Sequence, residues 1–214
     1  MAWYELDERG RGLDRVMAFS DGVFAIAITL LVLAFRLPIV HGARLDHKLV
    51  HSLLHEANVL IGFVVSFFVI ARLWMTHHRL SLIMRRVDGR FIALNFVFLG
   101  LIVFLPFPTE VLGTYGSTTS GTVFYAVTLS VTLVLSASVW TYAIRAGLVD
   151  KHIPADTLRQ VWLRSGFTAA VFLASVPVAI VAPGKAQLVW LALFVQHWIL
   201  PRPDDVARRA AASD

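Results

Sequence analysis

The chain has 214 residues, 57% of them hydrophobic and only 15% charged, with a formal net charge of +5. Soluble domains run about 45–50% apolar and about 25% charged, and the apolar excess here lies in long runs, which excludes a single soluble core and points to a polytopic membrane protein. The basic residues fall in short loops between those runs, so the charge reads as membrane topology and not as nucleic-acid binding; the absence of cysteine excludes disulfides, thiolate metal sites and cysteine catalysis.

The opening "MAWYELDERGRGLD" is mixed in charge and precedes an apolar run too long for a signal-peptide core, which predicts a retained cytoplasmic segment. Six apolar spans follow, judged against the roughly 20 residues that cross a bilayer. The first covers about 13–37 and stops at Pro38. The second covers about 52–77, and the third starts near Phe91 and breaks around Pro106 and Pro108. The fourth covers about 122–146, and the fifth about 161–181, with Pro177 as a kink or early end. The sixth, about 185–200, is short; the last two can alternatively form one re-entrant pair. Residues 1–200 thus read as a single transmembrane domain, and 201–214 as a polar cytoplasmic tail. There is no internal duplication and no water-soluble domain.

Lysine and arginine set the orientation. One side holds Arg9, Arg11 and Arg15, then Arg79, Arg85, Arg86 and Arg90, then Arg145, Lys151, Arg159 and Arg164, then Arg202, Arg208 and Arg209. The other holds Arg36, Arg44, Lys48 and Lys185. The positive-inside rule puts the rich side, and both termini, in the cytoplasm.

The first helix has two faces. At about 100° per residue, Arg15, Phe19, Gly22, Ile26, Leu30 and Leu33 share one stripe, and Ser20 and Asp21 fall away from it. The stripe taken alone reads as ordinary helix packing. Asp21 reads either as a helix-start carboxylate favoured by the dipole or as part of a polar network inside the membrane. Trp74 and His77, near the cytoplasmic end of the second span, and Asn95, early in the third, lie at a similar depth, and their donors and acceptors complement a carboxylate and a hydroxyl. Such a network would lock the first helix against the second and third.

Catalytic and metal chemistry find little support. His77 and His78 are adjacent and point to different faces of a helix; His51 and His55 are four apart but have no further ligand cluster. Ser20, Asp21 and His77 have the residue types of a hydrolytic triad, without a glycine-flanked serine elbow. Phosphate-loop, dinucleotide and zinc-protease motifs are absent, and no cofactor is expected.

"RVMAFSDGVFAIAITLLVL" resembles the first helix of the transmembrane protein 175 family of potassium channels, whose signature is Arg, three residues, then Phe-Ser-Asp: here Arg15, Phe19, Ser20 and Asp21. The likeness continues in "ARLWMTHHRL", "IMRRVDGRFIALNF" and "FLPFPTEVLG", and covers roughly the first half well; the last three spans match in number and hydrophobicity only. The resemblance implies an all-α channel with six transmembrane helices per subunit, and a single-repeat chain of the bacterial kind. It implies a homotetramer in the bacterial plasma membrane whose first helices line a central pore. By position it implies Ile26 as the main constriction, Leu30 and Leu33 as the next layers outward, and Thr29 as a polar neighbour. Arg15, Phe19, Ser20, Asp21, Trp74, His77 and Asn95 are then a structural network outside the ion path, and potassium passes without a fixed metal site. The expected activity is potassium-permeable cation conduction, weakly to moderately selective over sodium, through a hydrophobic constriction; the TVGYG filter of other potassium channels is absent. The alternatives are a secondary transporter, proton-coupled through Asp21 and His77, and a membrane enzyme or structural subunit. Against the transporter, no duplicated broken-helix halves are seen.

Overall fold

The computed structural model describes residues 11–34, 57–151 and 157–193. Within them the chain is helical: α1 (Arg11–Leu30, continued by a 3-10 turn Leu31–Ala34), α2 (Ala57–Ile83), α3 (Gly89–Phe104), α4 (Pro106–Tyr115), α5 (Thr119–Arg145), α6 (Thr157–Val181) and a 3-10 segment Pro183–Leu191. Among the described residues five segments are long and apolar enough to cross a bilayer: Gly12–Leu33, Val59–Ile83, Gly89–Tyr115, Thr119–Arg145 and Thr157–Val181.

The third span breaks at Leu105, just before Pro106 and Pro108, as expected, and resumes at once. Pro106 and Pro108 sit in the first turn of α4, where a missing N–H has no intrahelical partner to lose. The third span therefore steps at Leu105 and continues to Tyr115. Pro177 lies inside α6, which runs on to Val181. The expected sixth span begins as the 3-10 segment Pro183–Leu191, and its later part lies outside the described residues, as do Arg36, Arg44, Lys48, His51, His55 and the 201–214 tail.

The starts of α3 and α5 are capped by side chains. Asp88 accepts from the Phe91 N–H at 2.7 Å, and Thr118 from the Gly121 N–H at 3.2 Å. The second oxygen of Asp88 accepts from the Tyr142 hydroxyl at 2.7 Å, which ties the start of α3 to α5.

The core is continuous. Phe24, Ala27 and Leu31 of α1 meet Ile70, Leu73 and Leu80 of α2 and Phe91, Phe98 and Ile102 of α3. Tyr125 of α5 packs its ring on Phe172 of α6 and on Trp190, at 6.0 and 5.2 Å. A hydroxyl knot crosses this core: Ser66 lies 2.7 Å from the Thr109 hydroxyl and 2.8 Å from the Tyr125 hydroxyl, and Thr109 donates to the Leu105 carbonyl at 2.8 Å. All three side chains are buried, so in hydrocarbon they satisfy one another and join α2, α4 and α5.

At one end, the α2–α3 and α5–α6 connections are laced together. Arg85 N–H donates to Leu148 O and Asp150 N–H to Ile83 O, both at 2.8 Å, forming an antiparallel bridge between Met84 and Val149. The Arg85 guanidinium pairs with the Asp150 carboxylate. Gly147 turns the second connection at φ +66°, a conformation that costs other residues a Cβ clash.

Candidate pore helix and its anchoring network

Among the described residues, α1 packs one face against its own chain. Met17, Ser20, Phe24, Ala27 and Leu31 are buried, spaced three and four apart as one helical stripe. The opposite face carries Arg15, Ala18, Phe19, Gly22, Ala25, Ile26, Thr29, Val32 and Leu33, all exposed. Ile26 is 60% exposed and Leu33 68%. Leu30 is half-buried, at the margin between the two faces. The Thr29 hydroxyl donates to the Ile26 carbonyl at 2.8 Å, so its proton is committed to its own helix while its lone pairs face outward. Nothing lies within 4 Å of the position a Cβ would take on Gly22.

The residues expected to form one polar network form two pairs and an inserted ring. Ser20 donates to Val16 O at 2.8 Å and accepts from the Asn95 amide at 2.9 Å; both side chains are buried between α1 and α3. Trp74 donates its indole N–H to Asp21 at 2.9 Å between α2 and α1, at the exposed margin, and stacks on His78 at 5.2 Å. His77 is buried between the rings of Phe24 and Phe98, at 5.7 and 5.8 Å. His77 Nε2 and Asn95 Oδ1 are buried without a hydrogen-bond partner among the described residues. Phe19 packs on Phe96 at 5.4 Å, and with Arg15, Val16 and Asn95 these rings line a shallow cleft beside α1.

The Ser20–Asn95 and Trp74–Asp21 bonds tie α1 to α3 and α2, and among the described residues these side chains form no catalytic constellation. The Ser20 hydroxyl is committed to its own helix and to Asn95, and His77 faces rings. Among the described residues no group of three or more metal-capable side chains converges. The hydroxyl knot of Ser66, Thr109 and Tyr125 and the half-buried Arg72 of α2 were not singled out in the sequence. The three hydroxyls are 43 and 59 positions apart and carry no spacing signal.

Comparisons with known proteins give the family and the fold. Residues 15–106 match the family model described as "Endosomal/lysosomal potassium channel TMEM175". A potassium channel of Streptomyces collinus is 34% identical over 187 residues, which cover 81% of this chain and 89% of that protein. The crystal structure of a lysosomal potassium-selective channel TMEM175 homolog from Chamaesiphon minutus superposes with a TM-score of 0.70 at 28% identity, covering 86% of this chain and 94% of that one. An animal relative, the endosomal/lysosomal proton channel TMEM175 of Danio rerio, is 25% identical over 130 residues, 60% of this chain but 24% of its own length. The chain is a multi-pass membrane protein that belongs to the TMEM175 family of channels.

Proposed function

We propose that the chain forms a potassium-permeable cation channel as a homotetramer, with the open face of α1 from four copies lining a central pore. The observation that carries this reading is that face itself: an apolar stripe on a helix whose other side is fully packed. Exposed to lipid alone it would need no Ala18, Gly22 or Thr29; small residues four apart let helices approach closely, and a hydroxyl suits a wetted surface. Ile26, Leu30 and Leu33 are assigned as successive constriction layers. A ring of such side chains blocks by dewetting when narrow and conducts when wide, and it discriminates between potassium and sodium by their dehydration costs. The selectivity that follows is weak to moderate.

Arg15, Phe19, Ser20, Asp21, Trp74, His77 and Asn95 hold α1 in place and stay out of the ion path. The arginine-rich connections after α2 and α5 support placing that end, and both termini, in the cytoplasm of a bacterial cell, with six spans per subunit. The channel needs no cofactor and no fixed metal. The name of the Danio rerio relative favours a second reading, proton conduction.

Purified protein in liposomes under opposed potassium and sodium gradients separates these readings. The expected reversal potential shifts toward the potassium equilibrium potential. A reversal potential that follows only an imposed pH gradient establishes the proton reading, and absence of current removes the channel reading.

A further inference from the structure

Where α1, α2 and α3 meet, two polar atoms are shut away from solvent with no partner among the described residues: His77 Nε2 on α2 and Asn95 Oδ1 on α3. His77 is 3% exposed and Asn95 2%, so neither group is met by bulk water. A buried polar atom without a partner forfeits its hydration and gains nothing in return, which is why nearly all such atoms in folded proteins are bonded to the chain or to a held water.

The two atoms lie in one seam. The Asn95 amide donates to Ser20 of α1, and the His77 ring lies between Phe24 of α1 and Phe98 of α3. Ser20 and Phe24 are four apart on α1, and Asn95 and Phe98 are three apart on α3. The Asn95 amide and the His77 imidazole therefore occupy neighbouring turns, about 5 Å apart along the helix axes. That is too far for a direct hydrogen bond, and it is the span of a single water that holds each of two partners at about 2.8 Å.

The chemistry fits a water as well as the distance does. Oδ1 can only accept, and the one hydroxyl beside it, that of Ser20, spends its proton on Val16 O. A water donates to Oδ1 and still meets Nε2 in either imidazole tautomer, by donating to it or by accepting from it. A cation is a poor fit, because the carboxylate of this region, Asp21, is held by Trp74 at the exposed margin. Phe24 and Phe98, each 1% exposed, wall the place off. Asn95 also lines the shallow cleft beside α1, the route by which a water reaches it.

We propose that one water is held between His77 Nε2 and Asn95 Oδ1 as a constant part of the fold. With it, Ser20, Asn95 and His77 form one polar chain across α1, α3 and α2, where direct bonds alone leave His77 apart. The site depends neither on what passes through the pore nor on how many copies assemble.

The test is radiolytic footprinting of the purified full chain, with X-ray pulses delivered immediately after dilution into heavy-oxygen water. Hydroxyl radicals form from water in place and label the side chains beside it. Phe24 and Phe98 are expected to be labelled in spite of their burial, and to carry the light oxygen of a water that has not yet exchanged. His77→Phe and Asn95→Leu each remove one of the two holders and should abolish that labelling. If Asn95→Leu does not fold, His77→Phe, which keeps a flat ring among rings, carries the same expectation. Absence of label on Phe24 and Phe98 in the wild type, or label that persists in His77→Phe, overturns the proposal. Label that carries the heavy oxygen also overturns it, in favour of bulk water passing through the cleft.

Discussion

Trp74 on α2 donates its indole N–H to Asp21 on α1 at 2.9 Å, so the signature carboxylate of the first helix is held by a neutral donor. Trp74→Phe keeps an aromatic ring over His78 and removes only the donor. We expect it to cost about 1 kcal/mol, below the usual worth of a hydrogen bond to a charged group because the pair is exposed. Asp21→Ala should reduce the assembled, folded protein. In a double-mutant cycle read by unfolding in detergent, the two losses should overlap; strictly additive losses would show that the bond contributes nothing.

Ile26→Asn places an amide on the open face of α1, 60% exposed in the single chain. In liposomes it should raise cation flux and weaken discrimination between potassium and sodium, because a polar ring stays wet at a width where an aliphatic ring dries. Unchanged flux and selectivity would remove Ile26 from the constriction.

Ser66 bridges the Thr109 and Tyr125 hydroxyls inside the core. Ser66→Ala strands the Tyr125 hydroxyl, whereas Thr109 keeps its bond to Leu105 O. The expected cost is about 2–3 kcal/mol, against about 1 kcal/mol for Tyr125→Phe, which removes the group that would otherwise be stranded. Thermal unfolding of the two variants checks the order; the reverse order would show that the knot is not centred on Ser66.

Gly147 holds φ +66° in the connection between α5 and α6. Gly147→Ala should cost about 1 kcal/mol, since a Cβ disfavours that region. Arg85→Gln, which breaks a largely exposed ion pair in the same clasp, should cost less than about 1 kcal/mol. Comparison of their melting temperatures decides whether backbone or charge holds the clasp.

Much of this arrangement is legible in the chain, and the parts that are not have physical reasons. Hydropathy gives the described spans because bilayer thickness fixes their length. Helical phase separates Ile26 and Leu33 from Ser20, but it cannot say which of two apolar faces packs, and Leu30 falls on the margin between them. The break around Pro106 and Pro108 was legible; that the helix resumes at Pro106 was not, and it does so because a first-turn proline forfeits no hydrogen bond. The network residues were readable as a set from matched depth. Their division into Ser20 with Asn95 and Trp74 with Asp21, with His77 between phenyl rings, depends on side-chain direction, which spacing leaves open. The Ser66 knot lies beyond sequence reading, since isolated hydroxyls on separate helices acquire partners only through packing.

The lacing of the two connections also changes how this end meets a protease. Arg85, Arg86 and Lys151 present exposed side chains of the type trypsin recognises. Yet the backbone N–H groups of Arg85, Arg86 and Asp150 are tied to the carbonyls of the facing connection. A scissile peptide must be drawn out as a free extended strand, so cleavage there waits for both connections to part together. Digestion at Arg85 and Arg86 is thus expected to depend on both connections, and a nick at either would loosen the hold on the other.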